Sequence, residues 1–337
     1  SFLCFIYMDW IKLKKELKDK LGITYLLPHQ ELVVTHIAVN EENNKETKLL
    51  AVLPTGSGKS ICFLAPLIFI KGVVLCIYPL LSLMADQERR MKAMNIPAAT
   101  LKGGMDRNEK EKIIEALIKG KYKVLITNIE TLLSLIKHPR YAPLWKMIST
   151  IVIDEVHTTV TWGDTFRPSY KELPEVIKKI NPRHILAFTA TLDDTMYATI
   201  QDRVFLGEKP YIVKASSDRN NIFYHSVHTL KMEDDLLRLL KNKAYRPSVV
   251  FCPSREETER IAFFLCKHGI KCLFYHAGLD KERRKAIEDK FSYSTQYVLS
   301  ATNAYGMGVD KKDIRSVIHI YLPQKADEFL QESGRCG

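Results

Sequence analysis

The sequence has seven cysteines but no C-x-x-C pair, no apolar run long enough to cross a bilayer as a helix, and neither a low-complexity tract nor a short-period repeat. Cys4, Cys62, Cys76, Cys252, Cys266, Cys272 and Cys336 sit mostly inside apolar runs such as VVLCIY and VVFCPS. That placement argues against a disulfide framework or a zinc knuckle, and it reads as buried free thiols in a reducing compartment. Apolar stretches of strand length argue against a transmembrane helix. The leading SFLCFIYM is apolar but short, carries no basic region and runs into the charged DWIKLKKELKDKLG, so a secretory signal is not expected.

What is present is an ordinary globular composition, 46% hydrophobic and 26% charged over 337 residues, enough for two domains with sizeable cores. Lys and Arg outnumber Asp and Glu 50 to 39, a net charge of +11. The excess suits a polyanionic partner such as nucleic acid or an anionic membrane surface, and equally a solvated basic face; charge alone does not decide.

Short Val, Ile and Leu runs recur, each followed by a longer segment of helical period: LLAVLP, VVLCIYP, KVLITN, TIVIDE and HILAFTAT, then SVVFCPS, CLFYHAG, YVLSAT and SVIHIYLP. Fully apolar strands alternating with helices predict an α/β fold with parallel sheets covered on both faces. The alternation pauses in GEKPYIVKASSDRNNIFYHSVH, residues 207–228, which places a boundary near residue 217 between domains 1–217 and 218–337.

Two motifs carry chemistry on their own residues. LPTGSGKS, residues 53–60, fits the phosphate-loop pattern except for Leu53 in place of its first glycine. It lies between an apolar strand and a helix, where Pro54 would open a loop in which the backbone N–H groups of Thr55, Gly56, Ser57 and Gly58 wrap phosphates. Lys59 would reach the β/γ oxygens of ATP and Ser60 would ligate Mg²⁺. In IVIDEVH, residues 151–157, a strand ends in two carboxylates. Paired with a phosphate loop, Asp154 is a candidate Mg²⁺ ligand and Glu155 a candidate for orienting or deprotonating the attacking water.

DEVH, residues 154–157, has the form of a DExH box, and the motifs in order along the chain resemble those of superfamily 2 helicases, closest to the RecQ family of ATP-dependent DNA helicases. The resemblance runs from about residue 24 to the end. It implies two RecA-like domains with the nucleotide in the cleft between them, ATP and Mg²⁺ as cofactors, single-stranded and partly duplex DNA as partner, a monomeric core without membrane attachment, and movement 3′ to 5′. It further implies a place in the nucleus of a eukaryote or otherwise in the cytoplasm. A DExH RNA helicase and a catalytically weakened nucleic-acid-binding module are the alternatives.

By that resemblance Gln30 in YLLPHQ reads the adenine edge, and Ser82 and Gln87 in YPLLSLMADQ contact DNA. ITNIETL stands where the family has TPE, with Asn128 and Ile129 before Glu130. HTTVTWGDTFRPSY, residues 157–170, resembles the aromatic-rich loop that links single-strand binding to hydrolysis, and it offers Trp162, Phe166 and Arg167 to DNA. The family's usual QWGHD becomes TWGDT here. Thr189 and Thr191 in FTATLDD couple to the DExH box, with His157 as partner.

In the second domain the same resemblance assigns Ser254, Arg255, His276, Gly278 and Thr302 to DNA, and Gly308 and Asp310 to the nucleotide. QESGRCG supplies Gln331 and Arg335 to catalysis. The chain stops at Gly337, one residue short of the second arginine of the family's QxxGRxGR motif. Weak hydrolysis is the expectation drawn from that missing arginine; the abrupt start and the lack of a cysteine cluster after the last motif add the expectation of a core cut from a longer protein, without the zinc-binding and winged-helix regions common in the family.

Overall fold

The computed structural model describes residues 10–54, 56–161, 168–215, 222–306, 311, 313–323, 329 and 332–336. The chain divides into two compact units, residues 1–215 and 216–337.

The first unit is built on seven strands: β1 (Thr47–Val52), β2 (Val73–Ile77), β3 (Ala98–Thr100), β4 (Val124–Thr127), β5 (Ile148–Ile153), β6 (His184–Thr189) and β7 (Tyr211–Lys214). They pair in the order β3-β4-β2-β5-β6-β1-β7, every pair parallel. Helices α1 (Trp10–Leu21), α2 (Pro28–Glu42), α3 (Lys59–Leu64), α4 (Leu81–Ala93), α5 (Arg107–Ile118), α6 (Ile129–Ile136), α7 (Ala142–Met147), α8 (Thr158–Thr161), α9 (Leu173–Ile180) and α10 (Asp194–Phe205) accompany them.

Consecutive strand residues point to opposite faces, and here both faces are covered. Leu50, Leu75, Leu125, Ile151 and Ile185 join one buried cluster, while Leu49, Val74, Val124, Val152 and Leu186 join another. Each fully buried Leu or Ile contributes about 1.5 to 3 kcal/mol relative to exposure. That is why the runs are apolar throughout rather than alternating.

The second unit carries β8 (Ser248–Phe251), β9 (Cys272–Tyr275), β10 (Val298–Ala301) and β11 (Ser316–His319), paired parallel in the order β11-β8-β10-β9. Helices α11 (Met232–Lys241), α12 (Arg255–Lys267) and α13 (Lys281–Ser292) accompany them among the described residues. Val250, Cys252 and Val298 pack toward Leu236, Leu240, Ile261 and Leu265. Val249, Phe251 and Leu299 pack toward Phe291 and Tyr305.

All nine apolar runs form strands. Two strands had no such signal. β3 is a three-residue edge strand, AAT. β7 lies inside the segment where the alternation pauses, and only Val213 of its four residues is buried. An edge strand needs little apolar surface, so its sequence resembles a loop. Among the described residues no helix is long and apolar enough to cross a membrane, and Cys62, Cys76, Cys252, Cys266, Cys272 and Cys336 are free thiols.

Candidate nucleotide site and its neighbours

Strands β5, β6 and β1 are adjacent and parallel, so their carboxyl ends share one edge of the sheet. The segment 53–60 leaves β1, Asp154 and Glu155 leave β5, and Thr189 ends β6. Topology therefore gathers at one edge residues that lie about a hundred positions apart in sequence, where open parallel sheets bind their ligands.

Leu53, where the strict phosphate-loop pattern has glycine, is fully buried in the core and its N–H donates to Thr189 O at 2.8 Å. The left-handed conformations fall instead at Gly56 (φ 78°) and Gly58 (φ 75°). Gly58 is doubly constrained, because a Cβ there would stand 2.4 Å from Gln30 Nε2.

Gln30 itself is only 2% exposed. Its Oε1 accepts from Leu27 N at 2.8 Å, and its Nε2 donates to Ser57 O at 3.1 Å and Gly58 O at 3.3 Å. His29 Nε2 also donates to Ser57 O, at 3.0 Å. Gln30, expected on the adenine edge, is thus spent at both ends of its amide on bracing the loop against α2.

Lys59 Nζ lies 2.8 Å from Glu155 Oε1. Burial alone would lower the lysine, but the Glu155 and Asp154 charges outweigh it and hold Lys59 above its ordinary value. Glu155 sits at φ 50°, a left-handed conformation costly for a side chain with a Cβ. Asp154 Oδ1 steadies that turn by accepting from Glu155 N at 2.9 Å. Burial, then the Glu155 charge, push the Asp154 carboxyl upward from its ordinary value.

His157 Nδ1 stands 3.2 Å from Thr189 Oγ1 and 3.5 Å from Glu155 Oε2. The Thr189 hydroxyl donates to Thr191 O at 2.9 Å, so the ring nitrogen is the donor toward Thr189. Thr191 enters through its backbone, its N–H donating to Thr189 Oγ1 at 3.3 Å.

Ser82 and Gln87, expected together on DNA, are separated by the helix that bears both. Five residues turn an α-helix by roughly 140° past a full turn, so the two cannot share a face. Ser82 is exposed near the start of α4, whereas Gln87 is 5% exposed and its Nε2 donates to Ser60 Oγ at 3.3 Å. The apolar spacing of α4 turns Met84, Gln87 and Met91 inward. Asn128 caps α6, accepting from Thr131 N at 3.0 Å.

In the second unit Ser254 is the N-cap of α12, its Oγ accepting from Glu257 N at 3.1 Å, and Arg255 opens the helix exposed. His276 is buried with Nε2 2.9 Å from Glu259 Oε1. A Cβ at Gly278 would meet both Arg255 Nη1 and His276 Nδ1 at 3.1 Å, so these three positions crowd together. Thr302 N donates to Tyr275 O at 3.2 Å, and the Arg335 guanidinium lies 5.8 Å from the centre of the Tyr305 ring. Thr55, Trp162, Phe166, Arg167, Gly308, Asp310 and Gln331 lie outside the described residues.

The DEAD/DEAH box helicase profile matches residues 13–199, and the helicase conserved C-terminal domain profile matches 231–337. The chain belongs to the DEAD/DEAH box helicases. Among curated proteins, the probable ATP-dependent DNA helicase RecS of Bacillus subtilis (strain 168) is 36% identical over 97% of this chain and 64% of its own length. The ATP-dependent DNA helicase RecQ of Pasteurella multocida (strain Pm70) is 34% identical over 86% of the chain and 45% of its own. The chain thus spans about half to two thirds of these relatives. Among solved structures, the DUF1998 helicase MrfA bound to DNA superposes with a TM-score of 0.75 at 20% identity, over 97% of this chain and 49% of that one. That likeness shows the fold, two RecA-like domains.

In a helicase of this family a divalent cation would accompany the nucleotide. Among the described residues no group of three His, Cys, Asp or Glu side chains gathers to hold a metal by itself. The pair at hand still fits Mg²⁺, which takes hard oxygen donors and is commonly held by one or two protein groups together with substrate phosphates. Ser60 offers a hydroxyl, and Asp154 a buried carboxylate whose negative charge lacks full compensation.

Proposed function

We propose that this chain is the motor core of an ATP-dependent DNA helicase of RecQ type, coupling ATP hydrolysis to 3′–5′ movement on single-stranded DNA and to unwinding of duplex. The observation that carries the reading is the Lys59–Glu155 contact, a cation for phosphate paired directly with a carboxylate for water. The names of the curated relatives support DNA as the polymer and RecQ as the type.

The pairing implies an order of events. Arriving β- and γ-phosphates compete with Glu155 for Lys59, because a polyphosphate offers the ammonium more negative charge than one carboxylate. Glu155, released on its strained turn, is then available to orient water against the γ-phosphorus. The water oxygen bonds to phosphorus, the bond to the bridging oxygen of ADP breaks, and the water proton passes to the carboxylate. Mg²⁺ held by Ser60 and Asp154 would supply charge neutralisation on the phosphates. His157, touching both Glu155 and Thr189, would carry the change at the carboxylate into β6 and the segment after it. The core would act as a monomer, in the nucleus of a eukaryote or otherwise in the cytoplasm.

Steady-state phosphate release with no polymer, single-stranded DNA or single-stranded RNA tests this reading. Strong stimulation by DNA and little by RNA is expected, with unwinding of 3′-tailed and not 5′-tailed duplexes. Equal or greater stimulation by RNA would move the chain among RNA helicases, and DNA binding without hydrolysis would make it a binding module.

A further inference from the structure

We infer that Gln87 is a positioning residue for the cation site: its side-chain amide sets the direction of the Ser60 hydroxyl and so ties helix α4 to the metal-nucleotide state. The inference rests on the nucleotide reading above and adds a residue that the motif pattern placed on DNA.

Ser60 has one hydroxyl proton and two lone pairs. A hydroxyl that ligates a cation turns a lone pair toward it, and its proton then needs an acceptor elsewhere. Gln87 is the neighbour positioned to provide one. Its amide reaches Ser60 Oγ from α4 with the nitrogen facing the hydroxyl at 3.3 Å, a long bond that occupies one of the lone pairs. The other end of the same amide, Oε1, is buried without a hydrogen-bond partner. A buried carbonyl oxygen left unpaired is unfavourable, and a glutamine amide presents either a donor or an acceptor to the same neighbour according to which way it is turned. Rotated by half a turn, Oε1 accepts the Ser60 proton and both serine lone pairs become available to the cation.

The two amide orientations therefore match the two states of the site, donor to Ser60 without cation and acceptor from it with cation. Because Gln87 is 5% exposed, this exchange takes place inside the unit, behind the exposed start of α4 where Ser82 sits. Partners that hydrogen-bond a metal ligand typically change metal affinity about 10- to 100-fold when removed.

The test is binding of a fluorescent ADP analogue titrated with Mg²⁺, beside binding in EDTA and binding of single-stranded DNA without nucleotide. Gln87→Met keeps the length and loses both hydrogen-bonding ends. It is expected to raise the Mg²⁺ midpoint about tenfold, while nucleotide affinity in EDTA and DNA affinity stay as in the wild type. Gln87→Glu keeps an acceptor and is expected to restore a midpoint at or below the wild-type value. An unchanged midpoint in Gln87→Met, with or without weakened DNA binding, overturns the inference. So does loss of nucleotide binding in EDTA as well, which would mark Gln87 as a brace of the loop. A wild-type chain that binds no ADP under either condition overturns the nucleotide reading itself.

Discussion

The two units hold their chemistry-bearing residues in opposite ways. In the first, these residues hold one another: Lys59 with Glu155, His157 with Thr189, Gln87 with Ser60, Gln30 with the loop at 57–58. In the second, they are held by neighbours with local structural duties: Ser254 caps its own helix, His276 leans on Glu259, and Arg335 lies over Tyr305. A site whose members are mutually paired responds as a unit when a ligand takes one of the partners. The same parallel α/β plan thus carries a mutually paired set in one unit and, among the described residues, more locally anchored ones in the other.

The sharpest way to break this contrast is Lys59→Ala. It removes the phosphate cation and leaves the Glu155 carboxylate without its lysine partner, so phosphate release should fall by a factor of about 10³, the scale of losing one preorganised electrostatic group. Single-stranded DNA binding without nucleotide, measured by fluorescence anisotropy, should persist.

Gly58→Ala comes next. The left-handed backbone and the 2.4 Å approach to Gln30 oppose a Cβ together. A loss of about 1 to 3 kcal/mol is expected in chemical denaturation, with nucleotide affinity reduced. Gln30→Ala would open the space, and the double variant should recover part of the loss.

A third effect is pH dependence confined to the first unit. His184 is fully buried on β6; its Nδ1 lies 2.9 Å from the Thr47 hydroxyl and its Nε2 2.9 Å from Glu41 Oε2. Burial holds His184 below its ordinary value of 6.5, so the folded unit binds it neutral, with the proton on Nε2 toward Glu41. Burial works against the Glu41 charge, but the His184 and Lys71 hydrogen bonds outweigh it and hold that carboxyl below its ordinary value. The unfolded chain therefore binds more protons below pH 6.5. Stability of this unit should fall as pH drops through that value, by up to about 1.4 kcal/mol per pH unit for one proton. A further loss at lower pH follows as Glu41 protonates. Thermal melts of wild type and His184→Gln across pH 5 to 8 would show a shallower first limb in the variant, where His36, also held below its ordinary value by burial, still contributes.

The smallest effect belongs to the second unit. Ser254→Ala removes the cap of α12 and should cost about 1 kcal/mol, seen as a shift of that unit's melting transition alone. A large drop in basal phosphate release from the same change would show that the cap also serves the nucleotide site, and would blur the contrast.

Much of this was legible beforehand. Runs such as VVLCI and TIVI are apolar at consecutive positions because a strand covered on both faces leaves no solvent side, and that marks strand and parallel sheet together. The glycine turn between β1 and α3 was legible through Gly56 and Gly58, where the left-handed conformations fall, while Leu53 belongs to the core. Gln87 and Ser82 fall on different faces because a motif is read as a string, whereas a helix distributes that string around an axis. β7 was missed because an edge strand with one buried residue lacks the apolar signal.

What the sequence by itself determined was therefore the class of fold, the order of its strands along the chain and the residue types available for phosphate, cation and water. These follow from local patterns of burial and from side-chain chemistry. Only the tertiary structure decided which residues meet: Lys59 with Glu155 across 96 positions, Gln30 with the loop across 27, Gln87 with Ser60 across another 27. The physical reason is that strand order in a parallel sheet is not chain order. Adjacency along its carboxyl edge is set by how the helices pack on both faces, and no stretch of sequence carries that information alone.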